Sequence, residues 1–147
     1  MAQLGICDVI QLIANIFTSI ALIFNFWLDD VVIKVVYAFI ELTWNTSITL
    51  ILTLSFNRFV IFADLLEDSY EWIIFGALIA LSWCYGAAYF VLNLLPNFGA
   101  KGLTFDYMVS NTTQMSMLRS SEKWINASFL IIAFIFHISS IILVIYK

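Results

Sequence analysis

The 147 residues are 63% hydrophobic and only 11% charged, whereas soluble domains carry about a quarter charged residues, so a free globule in water is excluded. The formal net charge is −4, with acidic residues gathered at Asp29-Asp30 and between Asp64 and Glu71. There is no basic patch, and no nucleic-acid partner is expected.

In chain order, the apolar runs predict helices over residues 3–28, 31–63, 72–95 and 123–146. Each matches the ~20 apolar residues that cross a hydrocarbon core of ~30 Å. The expected fold is an all-α membrane protein with one transmembrane domain over residues 1–147, and the lipid bilayer is its first partner. The connections between the first three helices are short, which predicts antiparallel neighbours. Residues 96–122 form the one long loop, where Pro96, Gly99, Gly102 and a Ser/Thr/Asn-rich stretch predict little regular structure. No basic region precedes the first run and no small-residue cleavage site follows it, so a removable signal peptide explains it poorly. Cys7 and Cys84 both stand inside apolar runs, where a thiol packs as a small hydrophobe; neither a disulfide framework nor a metal site is implied.

Polar residues inside the spans mark candidate functional positions, because each is costly in lipid unless it faces protein or water. On the first helix Asp8, Gln11, Asn15, Thr18 and Ser19 fall within an arc of about 120°, a face turned into a bundle either as glue between helices or as part of an ion- or ligand-coupled site. The second helix places Lys34, Glu41 and Asn45 nearly on one line, followed by Thr49 and Thr53. Glu41 is the residue least readily explained by packing, although Lys34 offers it a structural partner. It stands seventeen residues, about 25 Å, before Arg58. The third helix, with Gly76, Ala77, Ala80, Ser82, Gly86, Ala87 and Ala88, has the small residues that permit close packing. Trp72 and Trp124 suit interfacial anchors. His137 lies mid-span on the fourth helix, where a structural histidine is favoured over a ligand or proton site.

The sequence Leu54-Ser55-Phe56-Asn57-Arg58-Phe59 closes the second helix, and Leu4-Gly5-Ile6-Cys7-Asp8-Val9-Ile10-Gln11-Leu12 opens the first. With Trp83 in the third helix, these segments resemble the nematode serpentine chemoreceptors, most nearly the class x and class t groups. In that family Asn57-Arg58-Phe59 takes the place of the Asp-Arg-Tyr motif of rhodopsin-like G-protein-coupled receptors. The resemblance implies that the four helices are the second to fifth of a rhodopsin-like seven-helix bundle, and that the chain is a fragment or truncated form of a chemosensory receptor in the plasma membrane. By the same resemblance, Arg58 sits at the cytoplasmic end, where a heterotrimeric G protein docks, and Glu41, Asn45 and Thr49 line the cavity of an unknown small-molecule ligand. Asp8, Gln11 and Asn15 are then polar residues of the bundle core. No cofactor is implied.

The sequence departs from rhodopsin-like receptors in lacking cysteines for the superfamily's outer disulfide and a proline in the fourth helix. The resemblance places residues 96–122 outside, whereas the count of basic residues opposes it, with Lys34, Lys101, Arg119 and Lys123 on that side against Arg58 and Lys147. Asn111-Thr112-Thr113 in the long loop is a glycosylation acceptor and favours the outer placement. Asn45-Thr46-Ser47 lies within a helix, and Asn126-Ala127-Ser128 stands too near the membrane for modification. An enzyme is not expected: there is no paired-carboxylate spacing, His/Cys cluster or Gly-rich phosphate loop, and no catalytic residue is assigned. The alternatives are a four-helix membrane adaptor or scaffold, and a transporter subunit motivated by Asp8, Glu41 and His137, for which no internal repeat is found.

Overall fold

A computed structural model describes residues 2–24, 29–65, 68–95 and 113–146. Those residues form four helices, α1 (Ala2–Ile23), α2 (Asp30–Ala63), α3 (Asp68–Leu94) and α4 (Thr113–Tyr146), with no strand among them. All four are long and apolar enough to cross a membrane. The physical reason for an all-helical answer is that hydrocarbon offers no hydrogen-bond partner, and a helix satisfies its backbone internally. The 34 residues of α2 reach about 51 Å, well beyond a ~30 Å core, so this helix tilts or projects.

The boundaries differ from the sequence expectation mainly at α4. Residues 113–122, assigned to the long loop, are helical. They contain no glycine or proline, and their Gln, Met, Leu, Arg and Glu residues are good helix formers. Likewise α3 begins at Asp68 rather than Trp72. Residues 25–28, and the loop from 96 to 112 with the acceptor Asn111, lie outside the described residues.

The ends of α2 are sharply marked. Asp29 caps its start, accepting a hydrogen bond from the Val31 amide, which satisfies one of the orphan donors of the first turn. At the other end Asp64 adopts the left-handed conformation (φ 55, ψ 42), and the amides of Asp64 and Leu65 bond Ile61 O and Val60 O, closing a Schellman-type cap. Lys34 Nζ donates to Leu95 O at 3.1 Å, placing a cation against the carbonyl end of α3.

Among the described residues, the close backbone contacts of α1, α3 and α4 are all with α2. Small residues set the approach. On α1 the buried positions Cys7, Ala14 and Ala21 recur every seven residues, a spacing that stays on one line of the helix. On α3 Gly86 is the closest point: an added Cβ would overlap Thr46 Oγ1 and stand 2.6 Å from Leu42 O. Ring contacts tie α2 to its neighbours at two levels, Phe39 to Phe90 in the first half and Phe56 to Phe75 and Phe136 near the end. Large apolar side chains cover the outside of the helices, Leu12, Ile13, Leu81, Ile131 and Phe134 each being more than 59% exposed. In water such a surface would aggregate; in a bilayer it is the lipid-facing side.

Candidate functional site

The polar residues of the interior converge at one level of the bundle. Glu41 and Asn45 stand one turn apart on α2, and Glu122 and Asn126 one turn apart on α4, so each helix presents the same Glu-x-x-x-Asn pair. All four are buried, with exposures of 6%, 0%, 9% and 7%. The Asn45 amide nitrogen donates to Glu41 Oε2 at 3.3 Å, to Glu41 O at 3.0 Å and to Glu122 Oε1 at 3.0 Å. Asn126 Nδ2 donates to Asn45 Oδ1 at 2.9 Å, and Tyr85 OH of α3 donates to Asn126 Oδ1 at 3.2 Å. Three helices are thereby joined through side chains, each interhelical bond stabilising a membrane protein by about 0.6–2 kcal/mol. Tyr85 is itself held edge-on by Tyr89 at 5.1 Å and Phe129 at 5.9 Å.

Above this network a half-open cleft of about 350 Å³ lies between α2 and α4, within the size range of small-molecule sites. Its polar lining is Glu41, Glu122, Asn126, Arg119 and Lys123, and its apolar walls include Trp44, Ile48 and Leu130. Carboxylates thus stand on both helices, while the two cations stand one turn apart on α4 alone. Among the described residues no group of three or more His, Cys, Asp and Glu side chains is placed to hold a metal ion.

The second polar level is the end of α2. Asn57, Arg58 and Phe59 are half-buried. Phe59 stacks on Phe136 of α4 at 5.4 Å, and Phe56 on the same ring at 5.2 Å, so this turn is clamped by aromatics. Asn57 Oδ1 is buried without a hydrogen-bond partner among the described residues. Thirteen residues, about 20 Å of helix, separate Asn45 from Arg58.

Of the residues singled out in the sequence, Glu41 lines the cleft and Asn45 lies beneath it. Thr49 is buried near them, but its hydroxyl bonds the carbonyls of Asn45 and Thr46 in its own helix. On α1 the line that meets α2 is Cys7-Ala14-Ala21; Gln11 and Asn15 flank it half-buried, and Asp8 is exposed. Gln3, which drew no attention, accepts a 3.2 Å hydrogen bond from Trp83 Nε1 and links α1 to α3. His137 is exposed on α4. Arg119, Glu122, Lys123 and Tyr85 were not legible as site residues, and Asn126 drew attention only as a glycosylation triplet. The repeated Glu-x-x-x-Asn spacing is the sequence signal that could have found Glu122 and Asn126.

No family model, curated protein or solved structure matches the chain.

Proposed function

We propose that the chain acts within a seven-transmembrane, G-protein-coupled chemosensory receptor of the nematode serpentine kind, with α1 to α4 as its second to fifth helices. A small-molecule ligand enters the α2/α4 cleft from outside the plasma membrane, and a heterotrimeric G protein engages the turn at Asn57-Arg58-Phe59. The observation that carries this reading is that one helix, α2, supplies both a wall of a charged, aromatic-lined cleft and, about 20–25 Å further on, an arginine at an aromatic-clamped end. A helix touching all three others is suited to pass a change of packing from the first level to the second.

The threading agrees with such a bundle. Contacts between α2 and α3 run in opposite order, Phe39 with Phe90 and Phe56 with Phe75. Those between α2 and α4 run in the same order, Asn45 with Asn126 and Phe56 with Phe136. These contact orders support a reading of alternating antiparallel spans. An adaptor or scaffold needs the same packing but no half-open cleft carrying both signs of charge.

The test is ligand-evoked G-protein activation in cells expressing the gene product that contains these helices. Arg58→Ala is expected to lower the response at least tenfold with surface level unchanged. An unaltered response removes Arg58 from the coupling role, and a normal chain that activates no G protein with any ligand of a broad small-molecule panel leaves the scaffold reading.

A further inference from the structure

We propose that α1 carries a seam for a second copy of this chain, which docks parallel to the first and sets the amides of Gln11 and Asn15 against their own counterparts inside the membrane. The seam is written in the spacing. Leu4, Asp8, Gln11, Asn15, Thr18 and Leu22 follow one another at intervals of four and three residues, the heptad rhythm that keeps one stripe of a helix against another helix over many turns. Asp8, Asn15 and Leu22 each follow by one residue a member of the line Cys7-Ala14-Ala21 that meets α2, which turns them about 100° round the helix. The stripe is thus left at the edge of the bundle. Asp8 and Leu22 are exposed, and Leu4, Gln11, Asn15 and Thr18 are half-buried.

Lipid cannot satisfy this stripe. Thr18 donates to Ala14 O of its own turn at 2.8 Å, but among the described residues the side chains of Asp8, Gln11 and Asn15 hydrogen-bond no other helix. Asp8 and Asn15 stand six and eight residues from the ends of α1, about 9 and 12 Å, too deep for short side chains to reach the headgroups. Polar groups at that depth are costly until another polar surface covers them. The chemistry of the stripe identifies the cover. A carboxamide carries both donors and an acceptor and so complements its own kind, and a two-fold axis along the membrane normal sets each residue of a parallel pair against its counterpart. Gln11 and Asn15 then form two successive amide layers, the kind of buried polar pairing that fixes register between helices. The Gln11 amides, one turn on, supply donors for the Asp8 carboxylates, and Leu4 and Leu22 close the seam at either end, about 27 Å apart. A helix that merely carried a cation against Asp8 would leave both amides unmatched.

The experiment is energy transfer between copies of the purified chain in phosphatidylcholine vesicles, with donor or acceptor dye on the exposed thiol of Cys84; Cys7 is buried against α2. Transfer is expected to rise with the protein-to-lipid ratio along a monomer–dimer curve, above the level of random proximity. Gln11→Leu combined with Asn15→Leu, changes that suit lipid and lie off the line that meets α2, is expected to weaken the dimer at least tenfold. Asp8→Asn keeps an acceptor and removes the repulsion of like charges, so it is expected to leave the dimer as tight or tighter. Cysteine pairs report the face. In a chain with Cys84→Ser, oxidation is expected to join copies through Leu22→Cys and not through Ile13→Cys, nine residues away on the opposite side of α1. The proposal is overturned if transfer stays at the random level, if the double leucine variant pairs as well as the original chain, if Ile13→Cys cross-links as readily as Leu22→Cys, or if Asp8→Asn abolishes pairing, which would assign the seam to a cation-bearing helix. It is also overturned if, in cells, the gene product that contains these helices gives no Leu22→Cys cross-link between copies, because another helix of that product then fills the seam. None of these measurements uses a ligand or a G protein. That last outcome would favour the receptor reading, and pairing in both settings leaves that reading to its own test.

Discussion

Gly86 and Thr46 show how tightly single positions constrain this bundle. A methyl group at residue 86 overlaps the Thr46 hydroxyl, which can rotate, and crowds Leu42 O, which is backbone and cannot. Gly86→Ala is therefore expected to force α2 and α3 apart and to lower stability by about 1–3 kcal/mol, measured as unfolding in mixed detergent micelles. Adding Thr46→Ala should restore only part of the loss, because the 2.6 Å approach to Leu42 O remains; full restoration would place the conflict in the side chain. At the same scale, the sequence exposed Glu41 and Asn45 because an ionisable residue deep in an apolar run stands out. Glu122 was hidden by its place at the edge of the run, among Arg119, Ser120, Ser121 and Lys123, where charge reads as solvated loop. Only the fold reveals that this edge is turned inward.

At the scale of elements, the four helices were legible from apolar length alone, because lipid leaves the backbone no other choice. The faces they present were not. The polar arc of α1 looked like the inward face, yet α2 is met by Cys7, Ala14 and Ala21. Lipid tails are as apolar as leucine, so apolar side chains gain nothing by leaving them, and contact goes to the residues that let backbones approach. The start of α4 was hidden for a different reason: residues 113–121 are mostly polar, and the signature of a span ends where hydrophobicity does. The end of α2 gives a test of element boundaries. Asp64 occupies a left-handed position that favours glycine and places a negative charge at the carbonyl end of the helix. Asp64→Gly is expected to stabilise the protein by about 0.5–1 kcal/mol, and Asp64→Val to destabilise it by about 1–2 kcal/mol. Equal unfolding midpoints for the three proteins would show that this cap does not contribute.

For the whole molecule, three triplets have the form of glycosylation acceptors, and burial separates them. Asn45 and Asn126 are buried and hydrogen-bonded to each other, so neither amide is open to modification. Mapping in microsomes is expected to find a single glycan, at Asn111, if residues 96–112 face the lumen during synthesis. A fully inserted chain without a glycan would reverse the proposed orientation. A glycan at Asn126 would mean that the pair with Asn45 does not form.

The hub position of α2 also bears on how the protein is made. Among the described residues, α1, α3 and α4 find their backbone neighbour in α2 and not in one another, yet α2 is the least apolar of the four spans. The helix on which every other one depends is thus the poorest at leaving the translocon by its own partitioning. Chain order offsets this handicap: α1, more apolar than α2, precedes it in the chain and gives the nascent hub a surface to lean on before α3 and α4 have been translated.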